Sequence, residues 1–80
     1  MKLTPLQTNL NEIRLNNGTR ILFSYATPVA CYDSRLGFMR TAKFWSQTTS
    51  RHINKWLDGA PALQAEQVFF DTLAEEEGAE

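Results

Sequence analysis

Glu12-Ile13-Arg14-Leu15-Asn16-Asn17-Gly18-Thr19-Arg20-Ile21-Leu22-Phe23-Ser24-Tyr25 is the stretch on which the fold turns. Its first four residues alternate charged and apolar. Asn16-Asn17-Gly18 is a turn signal, and the run from Thr19 to Tyr25 is rich in β-branched and aromatic side chains. Two strand-like runs around Asn-Gly make a strong hairpin signal, because Asn and Gly accept the positive φ that tight turns require. In the second run, a period of two sends Ile21, Phe23 and Tyr25 one way and Arg20, Leu22 and Ser24 the other.

On the N-terminal side, residues 1–10 read as polar and irregular, with Pro5 opposing a long helix. On the C-terminal side, Val29-Ala30-Cys31-Tyr32 is again strand-like. Pro28 has no amide proton for a ladder and belongs at an edge, a bulge or a strand start. Asp33-Ser34-Arg35-Leu36-Gly37 reads as a loop, and Phe38-Met39-Arg40-Thr41-Ala42 as a further strand. Connections this short join antiparallel neighbours, since parallel strands need a crossover of a dozen residues or more.

After Trp45 the period changes. Ser46 or Thr48 can cap a helix reaching about Leu57, with Ile53, Trp56 and Leu57 on one face and Arg51 and Lys55 on another. Gly59 falls where a left-handed C-cap is expected, and Pro61 prevents continuation. A second helix is expected over about 62–76, with Phe69, Phe70 and Leu73 inward; Val68-Phe69-Phe70 as a short strand is the alternative. Glu75, Glu76 and Glu77 have the wrong sign for a helix C-terminus, so residues 77–80 are expected to fray. The fold class expected is α+β: a three- or four-stranded antiparallel meander with one or two helices packed on one face, in a single domain over residues 1–80. The expected core is Ile13, Leu15, Ile21, Phe23, Val29, Ile53, Trp56, Phe69, Phe70 and Leu73.

The composition excludes more than it specifies. No run approaches the roughly 20 apolar residues of a membrane span, and no apolar segment follows Met1-Lys2 as in a secretory signal. One cysteine, Cys31, leaves no partner for an internal disulfide and fits a reducing cytoplasm, the localisation expected here. One histidine and one cysteine cannot assemble a Cys/His zinc site within the chain. Cys31 in an apolar strand reads as a small buried hydrophobe, and His52 as a packing residue four before Trp56. Phosphate loops, dinucleotide glycine patterns and nucleophile elbows are absent from the sequence. The expectation is therefore a protein without catalytic residues, metal, cofactor or small-molecule substrate.

Charge is the one polarised property. Residues 1–57 carry all eight Lys and Arg side chains against Glu12 and Asp33 alone, whereas residues 58–80 carry seven acidic side chains and no basic one. Such a split concerns partners more than fold. Asp71 and Glu75 share a helix face by i,i+4 spacing with Glu76 beside them, an arrangement that could imitate phosphates on another protein's DNA-binding surface. Arg51 and Lys55 offer the opposite choice if the partner is acidic. A third arrangement groups Arg40, Lys43, Arg51 and Lys55 as a basic patch. With Tyr32, Phe44 and Trp45 as stacking platforms, that patch suits direct binding of nucleic acid.

The run Asn17–Tyr25 followed by Thr27-Pro28-Val29-Ala30 is similar to a small domain of unknown function found in many phage-derived reading frames. So are Lys43-Phe44-Trp45-Ser46 and Thr48-Thr49-Ser50-Arg51-His52-Ile53-Asn54-Lys55-Trp56-Leu57. The resemblance covers roughly residues 12–57. In size, charge and implied origin the chain also looks like an anti-CRISPR inhibitor of type I effector complexes, type I-C among them. That resemblance implies stoichiometric docking on Cas subunits in the bacterial host cytoplasm, blocking target DNA. The competing expectation is a phage regulatory protein that binds nucleic acid itself.

Overall fold

The computed structural model describes the backbone of residues 2–78 and the side chains of residues 3–75. Six strands and two helices follow in the order β1 (Lys2–Gln7), β2 (Leu10–Arg14), β3 (Arg20–Ser24), β4 (Thr27–Asp33), β5 (Gly37–Thr41), α1 (Gln47–Leu57), β6 (Leu63–Ala65) and α2 (Gln67–Gly78). The strands form one sheet in sequential order, β1 to β6. The first five are an antiparallel meander, and β6 adds to β5 in parallel, Met39 opposite Leu63 and Thr41 opposite Ala65.

The α+β class and the meander agree with the sequence reading, and the sheet is wider at both ends than expected. Lys2–Gln7 is a strand, not an irregular segment. It lies at the sheet edge, where Pro5 is tolerated, and the register shifts between Pro5 and Gln7. At the other end, the expected helix over 62–76 begins only at Gln67, because Leu63–Ala65 is spent on β6. The parallel pairing is allowed because α1 lies within the β5–β6 connection and makes it long enough. Val68-Phe69-Phe70 is helical. The helix includes residues 77 and 78, within the segment expected to fray; residues 79 and 80 lie outside the described residues.

Local chemistry accounts for the element ends. The Asn16-Asn17-Gly18 turn closes through Leu15 N–H to the Thr19 carbonyl at 2.9 Å, with Gly18 at φ +90°. Pro28 sits beside the bulge where β3 and β4 lose register between Leu22 and Phe23. Ser46 caps α1 by accepting the Thr49 amide at 3.1 Å, and the helix ends on Asp58 and Gly59, both left-handed.

Both faces of the sheet are covered, one by each helix. Leu22 and Ala30 pack with Leu10, Val29, Ile53 and Leu57 under α1. Their chain neighbours Ile21 and Cys31 point the other way and pack with Met39 and Phe70 under α2. The expectation of helices on a single face is thereby corrected. A five-residue strand such as β3 can be buried at both parities only if each side has a cover. Of the expected core, Ile21, Val29, Ile53 and Phe70 are buried, while Ile13, Leu15, Phe23, Trp56 and Leu73 are partly so. Phe69 is 37% exposed and leaves the list; Leu10, Leu22, Ala30, Cys31, Met39 and Leu57 join it.

Trp56 links the α1 face to the sheet. Its ring meets Phe38 edge-on at 5.5 Å, and its indole N–H donates to Glu12 Oε1 at 2.8 Å. Trp56→Ala should lower unfolding free energy by about 3–5 kcal/mol. Trp56→Phe, which retains the ring but not the donor, should lose about 1–3 kcal/mol. Urea titration followed by far-UV circular dichroism checks both, and a near-wild-type midpoint in the alanine variant would contradict this packing.

Candidate functional site

The polarised sequence becomes two differently charged faces. Residues whose side chains rise on the α1 side of the sheet include Arg14, Arg20 and Arg40, and α1 itself presents exposed Arg51 and Lys55. Arg40 reaches across to α1, donating to Asn54 Oδ1 at 3.0 Å, and Lys55 donates to Gln7 Oε1 of β1 at 3.1 Å. Arg40, Arg51 and Lys55 thus lie on the α1 side, with Arg40 joined to the helix from β5 and Lys55 joined to β1 at the opposite border of the meander. Lys43 is not part of that group. Its ammonium lies 4.0 Å from the Trp45 ring centre, and the Trp45 indole N–H donates to Gln67 Oε1 at 3.0 Å, at the start of α2. Phe44 and Trp45 are exposed, whereas Tyr32 lies half-buried on the sheet.

Asp71 and Glu75 are exposed one turn apart on α2. Glu76 belongs to the same helix, but its side chain lies outside the described residues. Among the described residues neither Asp71 nor Glu75 forms an ion pair; Asp71 accepts only the Gln67 side-chain amide, at 2.9 Å. No basic residue occupies the last turn of α2, so nothing there offsets acids placed against the helix dipole. Beside them Val68 is 61% exposed and, with Phe69, Thr72 and Leu73, lines a shallow hollow of about 280 Å³. The outer surface of α2 is therefore acidic along one side and apolar along the other.

Two residues that sequence reasoning passed over hold these faces in place. Gln67 uses both ends of its amide. Its oxygen accepts from Thr41 Oγ1 at 2.8 Å and from Trp45, and its nitrogen donates to the Pro28 carbonyl at 2.7 Å and to Asp71. Only the Asp71 contact lies within reach of helical period; Thr41, Trp45 and Pro28 are more than twenty residues away, so nothing local marks Gln67 as a junction. Glu12 is the other. It is 5% exposed, and its carboxylate accepts from Trp56 and from Arg14 Nε at 3.0 Å, with Arg20 Nη1 at 3.8 Å. A lone acid in an alternating strand reads as solvent-facing, and only the arrival of α1 buries it.

Cys31 and His52 are both taken up in packing. Cys31 is buried and its thiol is pushed up to about 11, first by burial and then by Asp33, which keeps it protonated and unreactive at neutral pH. His52 Nδ1 lies 2.8 Å from the Ser24 hydroxyl, which also contacts Thr49 Oγ1 at 3.1 Å. All three are buried between β3 and α1, where they fasten the helix to the strand. No cluster of metal ligands occurs among the described residues, and no helix is long and apolar enough to cross a membrane.

A family model described as a family of unknown function, DUF8033, matches residues 1–72. The chain belongs to the DUF8033 family. The match takes in the whole sheet, α1 and the first half of α2, including Asp71 but ending before Leu73 and Glu75. No curated protein and no solved structure matches the chain.

Burial alone would raise the Glu12 carboxyl, but the Trp56 and Arg14 hydrogen bonds and the nearby guanidinium charges outweigh it and hold the group below the usual carboxylate value. A lowered folded-state value stabilises the fold above the unfolded carboxylate pKa, about 4.3. That contribution is lost as pH falls through the folded value. Wild type should therefore lose stability on acidification below about pH 4.3. Glu12→Gln should be less stable at pH 7 and show a shallower acid slope. Urea midpoints between pH 7 and pH 3 measure the difference, and parallel curves for the two proteins would contradict this role.

Proposed function

We propose that this DUF8033 protein is a phage-derived binding protein that acts by docking rather than by catalysis. In this reading it uses the outer surface of α2 to occupy a basic, nucleic-acid-binding surface on a bacterial defence complex. The observation that carries it is the composition of that helix: Asp71 and Glu75 without ion-pair partners among the described residues, beside exposed Val68 and Phe69. Glu75, in the last turn of α2, opposes the helix dipole, and a cationic partner surface would remove that penalty. The adjoining apolar strip supplies contact area that charge alone does not, as amphipathic helices do when they enter grooves. Charge complementarity would raise the association rate and fix orientation. The target class is a type I CRISPR effector complex, with type I-C first to be tested, and the consequence of docking is exclusion of target DNA. This choice of target rests on the resemblance in size, charge and implied origin.

A second reading draws on the opposite face. Arg40, Arg51 and Lys55 on the α1 side could hold nucleic acid directly, and Arg40 is already oriented by Asn54. Lys43 is directed elsewhere and contributes less to it.

A gel shift of labelled target DNA by a type I-C effector complex separates the two. Under the docking reading, the protein alone leaves DNA unshifted but suppresses the effector's shift. Asp71→Lys combined with Glu75→Lys should reduce that suppression at least about tenfold, the loss expected from roughly 1.4 kcal/mol of binding. Full suppression by the double variant would remove the acidic helix from the mechanism. A salt-sensitive shift by the protein alone would transfer the function to the α1 face.

A further inference from the structure

On the α1 side, the strand registers align one row of side chains across four strands. Arg14 of β2 stands opposite Arg20 of β3, Arg20 opposite Tyr32 of β4, and Tyr32 opposite Phe38 of β5. This row lines an open cavity of about 520 Å³, completed by Leu15 and Gly18 of the hairpin turn. The Arg20 guanidinium lies 4.8 Å from the Tyr32 ring centre, 5.7 Å from that of Phe38 and 5.8 Å from that of Trp56. The Tyr32 and Phe38 rings are themselves 4.8 Å apart.

Buried Glu12 organises the two arginines. It takes Arg14 through Nε, leaving the two terminal nitrogens of that guanidinium without a partner among the described residues, on a side chain 60% exposed. Arg20 approaches the same carboxylate through Nη1 and is held among the rings. One carboxylate against two guanidiniums leaves net positive charge at the cavity. Rings and guanidinium planes offer stacking surface, and a guanidinium fork suits phosphate. The volume fits one nucleotide-sized group. An inorganic anion would leave the rings unused, and an acidic peptide supplies charge without a flat ring.

We propose that this cavity binds a nucleoside phosphate, its base against the Arg20–Tyr32–Phe38 cluster and its phosphate on the outer nitrogens of Arg14. The group could be a free nucleotide or one residue of a single strand. The site does not use α2, and although it lies on the α1 side and includes Tyr32, it takes its charge from Arg14 and Arg20 rather than from Arg40, Arg51 and Lys55.

Isothermal titration of the full chain at low salt tests it, with AMP, a ten-nucleotide oligo-dT and oligo-dA, inorganic phosphate and a ten-residue polyglutamate as probes. Saturable binding of AMP, weakened at least tenfold by Arg14→Glu and by Tyr32→Ala, supports the site and assigns a free nucleotide. Binding of an oligonucleotide but not AMP, with the same loss in both variants, supports it and assigns a strand. Arg14 also partners buried Glu12, so Arg14→Glu should lower the urea midpoint; far-UV circular dichroism at the titration temperature checks that the variant is folded, and Arg14→Lys, which keeps the charge without the guanidinium fork, should weaken binding with a smaller loss of stability. The proposal is overturned if no nucleotide probe binds, if Arg14→Glu binds as wild type does, or if phosphate or polyglutamate binds as tightly as the nucleotides. Suppression of the effector's DNA shift by Arg14→Glu should match wild type, so failure here and failure of docking through α2 are told apart.

Discussion

A carboxylate taken out of water must find partners or give up its charge, and Glu12 finds three in a chain of 80 residues. Its two oxygens join an indole from α1 to guanidiniums from β2 and β3. That junction fixes how α1 lies on the sheet, because the Trp56 N–H has to meet one particular carboxylate oxygen and also sit edge-on to Phe38. The same oxygens orient Arg14 and Arg20. Packing on one face and the charge carried by that face therefore depend on a single buried acid.

The sheet explains why so small a chain can present two differently charged faces. Its central strands β3 and β4 are buried on both sides, Leu22 and Ala30 under α1, Ile21 and Cys31 under α2. Each helix thus seals one half of a two-sided core and exposes its own outer surface. Basic residues, all of which precede Asp58, gather largely on the α1 side, while the acidic C-terminal segment forms α2. The linear separation of charge becomes a spatial one because a sheet lies between the two helices.

How much of this could be read beforehand follows the range of each signal. The β2–β3 hairpin, the Ser46 cap and the end of α1 depend on neighbours within a few residues, and the sequence states them directly. β6 is three residues long and exists only because β5 offers an edge for it, which no local pattern reports. Assuming one covered face left Leu22 and Ala30 out of the expected core; α1 covers the side on which they lie, while α2 covers Ile21 and Cys31. At the candidate faces, the i,i+4 pairs Arg51–Lys55 and Asp71–Glu75 were legible from helical period. The row from Arg14 to Phe38 was not, because it requires three consecutive strand registers to be known at once.

The two ends of the sheet carry a consequence of their own. An unpaired strand is a template for another chain, and long flat edges invite endless stacking. Here one border is β1, interrupted by Pro5 and a register shift, and the other is β6, only three residues long. Neither offers the uninterrupted row of donors and acceptors that a foreign strand would need. Edge-to-edge pairing is thereby disfavoured at both borders, which leaves the two broad, helix-covered surfaces as the larger contact areas of the molecule.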